Sequence, residues 1–154
     1  MFSKLFSKKK KLEEPTDPYI YDNTITFNWS DDSECWVAPL IELSSDAEMC
    51  ISPKEYTDIP QSSSCKLLIE AKNNINELNK QALNYLIDET SNFVLDTYKH
   101  SITIESFIPY GIEIFEHEET PQEYAFTYNP VFDEGATWRV RIKNNTPIEW
   151  GFDD

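Results

Sequence analysis

The longest helical pattern in the chain covers residues 63–98. Apolar side chains recur there at intervals of three or four residues, which places them on one face of a helix. They are Cys65, Leu68, Ala71, Ile75, Leu78, Ala82, Leu86 and Phe93. We expect one long helix that begins near Ser63 and packs against a sheet. A strand at residues 66–71 followed by a helix start at Asn74 stays open as an alternative, because Asn74 and Glu77 have the spacing of a helix-capping pair.

Alternating apolar and polar positions predict strands on both sides of this helix. Before it lie residues 19–29, 35–43 and 47–52, and Pro39 indicates an edge or a bulge in the second segment. After it, residues 102–108 form either a turn of helix capped by Thr103 or a strand. Four further strands are predicted at residues 110–116, 123–128, 136–143 and 147–152. The short connections between them, among them Asn144-Asn145, favour an antiparallel meander.

These patterns together predict an α+β fold. Its antiparallel β-sheet combines N-terminal strands with a four-stranded C-terminal meander, and the sheet packs on one long central helix. The length of 154 residues suits one domain, which we place at residues 19–154. Residues 1–18 are predicted to be a basic tail and a linker, since Pro15 and Pro18 block helix propagation there.

Charge is distributed unevenly along the chain. The net charge is −15, yet residues 1–12 hold five lysines and no acid, so the remainder has 8 basic and 28 acidic side chains. A body with a net charge of −20 repels nucleic-acid phosphates, and we expect no nucleic-acid binding. A protein partner, basic in character, is the more natural expectation.

The basic N-terminal tail permits two interpretations. Large apolar residues stand beside a cluster of lysines there. They are Phe2, Leu5, Phe6, Lys8, Lys9, Lys10 and Lys11. The tail is either a weak contact with an anionic membrane surface or a solvated segment, and its short length favours the second. The chain has no run of 18 apolar residues and no continuous apolar core of a signal peptide. We therefore expect a cytoplasmic protein, with the inner face of the membrane as a further location.

Residues for catalysis or for metal and cofactor binding are scarce. Cys35, Cys50 and Cys65 form an odd set without a CxxC pair, which suits a reducing cytosol, and their apolar contexts predict core thiols. Two histidines make a zinc site improbable, and we expect no metal or cofactor. The chain contains no GxSxG motif, and its three glycines form no phosphate-binding loop. We expect no enzymatic activity, with an enzyme built from dispersed carboxylates as an alternative.

The most regular short segment is the predicted strand at residues 138–143. Arg139, Arg141 and Lys143 alternate there with apolar residues, so the three bases share one face of the sheet. They are candidates for binding a partner or an anion. The more favoured interpretation is that they pair across the sheet with carboxylates. The candidate acids for this pairing are Glu113, Glu123 and Glu149.

Acidic residues cluster at predicted turns. Asp31, Asp32 and Glu34 form one such group, and we name them as candidate contacts for a basic partner. They lack the glycine and the alternating oxygen ligands of a calcium loop. Residues 116–119, around His117, are a second group, which we interpret as solvated turn acids.

The C-terminal half resembles a family of bacterial domains of unknown function. The resemblance covers residues 64–154 and has two parts. The middle part consists of Ile102-Thr103 with Phe107. The ending runs from Phe132 through Gly135, Val140, Ile142 and Lys143 to Ile148, Trp150, Gly151 and Asp154. Family members often have a His-Gly pair after the acidic turn, whereas here Ala136 follows Gly135.

Some members of that family are similar to immunity proteins of bacterial toxin systems, which are small, acidic and non-catalytic. The resemblance therefore implies a protein-binding domain that acts as an immunity-type inhibitor of a toxin. Two alternatives stay open beside it, namely a peripheral membrane protein anchored by its basic N-terminus and the carboxylate enzyme.

Overall fold

The computed structural model describes residues 15–56, 58–118 and 122–153. These residues form eight strands, namely β1 (Tyr19–Tyr21), β2 (Ile25–Ser30), β3 (Cys35–Pro39), β4 (Glu48–Ser52), β5 (Phe107–Phe115), β6 (Glu123–Pro130), β7 (Thr137–Lys143) and β8 (Thr146–Asp153). Two helices, α1 (Ser62–Asn73) and α2 (Ile75–Tyr98), lie between β4 and β5. Short 3-10 helices at Ile104–Ser106 and Glu116–Glu118 flank β5.

All eight strands belong to one sheet, in which they follow each other in chain order. Strands β5 to β8 form the predicted antiparallel meander, so the α+β class and the meander are confirmed. The sheet is mixed, however, because β4 and β5 run parallel. The reason is that α1 and α2 carry the chain back to the end of the sheet where β4 began, and a strand that starts there must be parallel to β4.

The predicted single helix is interrupted once. Helix α1 begins at Ser62, one residue before the expected start, and ends at Asn73. Asn74 has φ −123° and ψ 21°, outside the helical range, and α2 begins at Ile75. Asparagine side chains compete for backbone hydrogen bonds, so an Asn-Asn pair is a weak point in a helix. A helix therefore begins close to each predicted start, but the single long helix is not formed and Asn74 makes no side-chain capping hydrogen bond.

The N-terminal half contains four strands rather than two or three. The segment 19–29, predicted as one strand, is a hairpin of β1 and β2, because Asp22 and Asn23 adopt positive φ angles of 49° and 51° between them. Strand β3 ends at Pro39, earlier than predicted, and Pro39 lies opposite Glu48 of β4. At the other end of the sheet, Asn144 and Asn145 form the expected two-residue hairpin turn, with φ angles of 50° and 59°.

Both helices bury their apolar stripe against the same face of the sheet. The largest buried side chains of the core include Trp36, Trp138, Tyr128, Phe27 and Phe126. Phe93, which the stripe also predicted to be buried, is 37% exposed, yet its ring lies 5.9 Å from that of Trp150 on β8. No helix of the described residues is long and apolar enough to cross a membrane.

The cysteines differ from the prediction. Trp36 and Ile51 point into the core, so their neighbours Cys35 and Cys50 point to the sheet face opposite the helices, which we call the open face. There the two cysteines form a disulfide between β3 and β4. Only Cys65 is the expected buried free thiol. Because disulfides are typical of oxidising compartments, the cysteines no longer support a cytoplasmic location.

Candidate functional site

One end of the sheet gathers most of the chemically interesting groups. The parallel pairing of β4 and β5 brings the start of α1 beside the end of β5. The antiparallel neighbours place the β2–β3 turn and the start of β6 at this same end. A cleft of about 650 Å³ opens there, so we call it the cleft end of the sheet. Its volume lies within the usual range for ligand-binding pockets.

The start of α1 forms one wall of this cleft. Gln61 is the N-cap residue, in an extended conformation, and its side chain makes no capping hydrogen bond. Ser63 and Ser64 of the first turn line the cleft. The first N–H groups of a helix have no partners within the helix, and they carry a partial positive charge. The wall therefore attracts a negatively charged group.

The protein supplies that negative group itself. Glu116 follows β5 in a short 3-10 helix, and only 7% of its surface is exposed. Its Oε1 atom accepts a hydrogen bond of 2.7 Å from the backbone N–H of Gln61. The other carboxylate oxygen, Oε2, is buried and has no hydrogen-bond partner among the described residues. Glu116 was predicted to be a solvated turn acid, and this prediction is wrong because its side chain is buried and bonded to the residue that precedes α1.

Cys65 lies near this carboxylate and is fully buried. Burial, and secondarily the negative charge of Glu116, raises the pKa of the Cys65 thiol to about 12. The thiol therefore stays protonated at neutral pH, and it is a poor nucleophile. The interpretation of Cys65 as a core thiol is confirmed.

The lining of the cleft combines apolar and charged side chains. Leu67, Ile114 and Phe115 form the apolar part. The charged lining residues are Lys54, Lys66, Glu70, Glu116 and Glu123. Three carboxylates face two amines, so the lining as a whole is acidic. These acids do not test the alternative of an enzyme built from dispersed carboxylates, which stays a prediction.

The three bases of β7 are paired with acids on the open face. Arg139 contacts Glu113 of β5 and Asp153 of β8. Lys143 lies 2.9 Å from Glu123 of β6. These three contacts join neighbouring strands or strands two apart. They confirm the favoured interpretation, in which these bases pair across the sheet.

Arg141 lies close to three carboxylates. It contacts Glu118 directly, and its guanidinium lies 3.5 Å from Glu149 and 3.7 Å from Glu123. The three bases therefore face five carboxylates in all. A second, smaller cleft of about 320 Å³ lies on this face, over Ala125 and Phe115. The open face consequently offers an anion no surplus of positive charge.

Glu113 and Glu123 are the two buried members of this network, with side chains that are 12% and 10% exposed. Burial raises the pKa of Glu113 above its usual value, although the contact with Arg139 acts in the opposite direction. Desolvation therefore outweighs the attraction of the neighbouring guanidinium. This carboxylate depends on Arg139 more strongly than the exposed acids depend on their partners.

The acidic β2–β3 turn remains at the surface. Asp31, Asp32 and Glu34 are all exposed, and none of them forms an ion pair with another described residue. They lie at the cleft end. His117 and Glu118 are exposed as predicted, whereas Glu119 lies outside the described residues. No group of metal-ligating side chains is found among the described residues.

The candidate membrane contacts fall outside the described residues. They are Phe2, Leu5, Phe6, Lys8, Lys9, Lys10 and Lys11. Membrane contact by residues 1–12 therefore stays a prediction.

Comparisons with known proteins give no match to this chain. No family model, no curated protein sequence and no solved structure is significantly similar to it. The resemblance of residues 64–154 to immunity-type proteins thus stays a prediction.

Proposed function

We propose that this protein is a non-catalytic binding domain for a basic protein partner. The observation that carries the proposal is which charged side chains form ion pairs and which do not. The bases of β7 are surrounded by carboxylates, whereas the acids of the β2–β3 turn have no cation beside them among the described residues. Uncompensated negative charge at the cleft end favours association with a positively charged surface.

Two other classes of partner fit these charges less well. Nucleic acids and phosphate-rich surfaces would meet negative charge at the cleft end, and on the open face the arginines are already bound to acids. An immunity-type inhibitor that covers a basic toxin domain is the specific form of the proposal. It rests on the resemblance of residues 64–154. It includes the cytoplasmic location on the same ground, although the Cys35–Cys50 disulfide is more typical of an oxidising compartment.

An affinity experiment tests the proposal. The full chain is immobilised and exposed to an extract of its native host in low-salt buffer, and bound proteins are eluted with increasing salt. We expect a basic protein that elutes early, because exposed charge pairs are screened by salt. The same experiment is repeated with the triple variant Asp31→Asn, Asp32→Asn, Glu34→Gln. Exposed pairs are worth about 0.5 kcal/mol each, so the variant should bind roughly tenfold more weakly.

A second triple variant controls for net charge. Glu77→Gln, Asp88→Asn and Glu89→Gln remove three exposed acids from α2, away from the cleft end. This variant should keep nearly the full affinity. If the unmodified chain retains no basic protein, or if both variants lose it equally, the proposal is wrong.

A further inference from the structure

We propose that the outer edge of β8 pairs with an extended segment of the basic partner, which adds a strand to the sheet. The segment carries an aromatic residue opposite Gly151, a basic residue opposite Glu149 and apolar residues at the positions between. Its basic character rests on the proposed function, whereas the place and form of the contact follow from the edge of the sheet.

The two edges of the sheet differ in length. The sheet ends at β1, which has three residues, and at β8, which has eight. Backbone groups on the outer side of an edge strand can pair with another chain, and a short strand protects an edge from such pairing. Strand β8 is long and carries no lysine, and Pro147 lies only at its second position. Residues 148–153 therefore offer N–H and C=O groups with which no described strand pairs on the outer side.

The side of β8 that faces α2 is apolar and only partly covered. Trp150 lies opposite the buried Val140, so Trp150 and Phe152 both point to this side. The ring of Phe93 on α2 lies 5.9 Å and 6.2 Å from their two rings. Phe152 is 38% exposed and Phe93 is 37% exposed. Apolar residues of an added strand would cover these rings and extend the core.

Gly151 leaves a space on the open face of β8. The cleft of about 320 Å³ lies over Gly151 and Ala125, and Arg139 and Arg141 also line it. A Cβ atom added at Gly151 would meet no atom within 4 Å. A side chain opposite Gly151 on an added strand can lean over this space. The two guanidinium groups would repel a basic side chain there, whereas an aromatic ring stacks favourably on a guanidinium.

Glu149 determines the charge of the next position on the open face. Its side chain is 64% exposed, and its contact with Arg141 measures 3.5 Å. Arg141 also contacts Glu118 and Glu123, so Glu149 shares this positive charge with two other acids. Opposite charges that face each other across two strands attract. The position opposite Glu149 therefore favours a basic residue.

A defined peptide serves as the probe. In acetyl-Thr-Val-Tyr-Val-Lys-Thr-amide, an antiparallel register places the tyrosine opposite Gly151 and the lysine opposite Glu149. The peptide is titrated into the full chain and followed by amide chemical shifts and amide hydrogen exchange. We expect shifts at residues 148–153. Exchange should slow at every second N–H of β8, because alternate N–H groups face the outer edge.

A backbone-modified peptide tests strand pairing directly. The same peptide with N-methyl groups on its three central residues keeps every side chain but lacks the N–H donors that pairing needs. It should bind at least about tenfold more weakly. Equal binding of the two peptides, or no slowed exchange in β8, would overturn the proposal.

A leucine at Gly151 tests the open-face position. Gly151→Leu fills the space that the tyrosine would occupy, and it should weaken peptide binding by about tenfold without lowering the melting temperature. Thr26→Leu is the matched control, since it adds the same side chain to an exposed position of β2, six strands away. It should bind the peptide normally. Equal effects of the two leucines would contradict the assignment.

A second pair of variants tests the charge. Glu149→Gln should weaken peptide binding by about two- to fivefold, as expected for one cross-strand charge pair. Glu34→Gln removes an exposed acid of the β2–β3 turn and should leave peptide binding unchanged. If Glu149→Gln binds as tightly as the unmodified chain, the basic residue of the segment is wrongly assigned.

A second copy of this chain is the competing occupant of the edge. Sedimentation of the unmodified chain at several concentrations should show a monomer, because each copy carries a net charge of −15. A dimer that Gly151→Leu dissociates would show that β8 pairs with itself, and the proposal would be wrong.

The outcomes separate this inference from the proposed function. If the basic host protein is lost with the β2–β3 turn variant but retained by Gly151→Leu, the proposed function stands and the assignment of β8 is wrong. If the unmodified chain binds the peptide at β8 but retains no basic protein, strand pairing stands and the proposed function is wrong. If it binds neither, both are wrong.

Discussion

Arg139 offers a sharp test of how the open face is stabilised. Its guanidinium contacts Glu113, whose side chain is 12% exposed, and Asp153, whose side chain is 71% exposed. The guanidinium carbon also lies 5.9 Å from the centre of the Phe115 ring. The substitution Arg139→Met keeps an apolar stem beside Phe115 and removes the charge. Its effect on stability therefore reports mainly on the lost ion pairs.

The expected cost follows from the burial of the two carboxylates. Loss of the contact with the exposed Asp153 costs about 0.5 kcal/mol, as for other surface pairs. A buried group that loses its hydrogen-bond partner costs about 1–3 kcal/mol, and a charged one lies at the upper end. Glu113 keeps a small exposed fraction, which lets water solvate it in part. We therefore expect Arg139→Met to lower the free energy of unfolding by about 2–3 kcal/mol at neutral pH.

The cost should depend on pH in a defined direction. Burial raises the pKa of Glu113 in the folded protein, and removal of Arg139 raises it further. A carboxyl group with a raised folded pKa stabilises the fold below its unfolded pKa, which is about 4.3, and this contribution is lost as pH rises through the folded value. The deficit of Arg139→Met should consequently be smallest at acidic pH and grow toward neutral pH.

Urea denaturation across this pH range measures the effect. Arg141→Met is the matched control, because its partners Glu118 and Glu149 are more exposed and Glu123 retains Lys143. It should cost about 1 kcal/mol or less. The double substitution Arg139→Met with Glu113→Gln should remove most of the pH dependence. A deficit that is equal for both arginines, or constant with pH, would refute this reasoning.

Three further outcomes are expected. Replacement of Cys35 and Cys50 by serine should lower the free energy of unfolding by about 3 kcal/mol, the value expected for a disulfide that closes a loop with a sequence separation of 15. Denaturation without reductant measures this, and an unchanged midpoint would contradict the disulfide. Gly111→Ala should lower the melting temperature, since a Cβ atom there would lie 2.2 Å from a backbone oxygen of β4, whereas Gly151→Ala meets no atom within 4 Å and should be neutral. Cys65 should resist alkylation in the native protein at mildly alkaline pH, because its pKa is about 12, and mass spectrometry of the intact chain checks this.

Local patterns predicted the elements better than the connections between them. Helix phase depends on the spacing of apolar residues, so the buried stripe from Cys65 to Leu86 is confirmed. Strand alternation likewise placed Trp138, Val140 and Ile142 in the core. The β1–β2 hairpin was missed because Asp22-Asn23 interrupts an apolar alternation that otherwise continues from Tyr19 to Trp29. The turn formed by Asp22 and Asn23 therefore decided the local structure, although the apolar alternation extends over eleven residues.

The candidate site could be predicted only in part. The pairing of Arg139, Arg141 and Lys143 follows from strand alternation and the surplus of acids, so it was accessible from the sequence. The role of Glu116 could not be predicted from the sequence. Gln61 lies 55 positions away from it, and the contact exists only through the parallel pairing of β4 and β5. The available signal was the helix between two strands, since such a crossover brings the helix start beside the end of the second strand.

Stability and binding should reside in different sets of charges. The ion pairs of the open face hold neighbouring strands together and leave their arginines engaged. The acids of the β2–β3 turn hold no described elements together by an ion pair, and they lie at one end of the sheet. A partner that docks at the cleft end would therefore meet negative charge without breaking the contact between Arg139 and Glu113. Substitutions at Arg139 should change unfolding and leave the salt dependence of binding intact, whereas those at Asp31 and Asp32 should do the opposite.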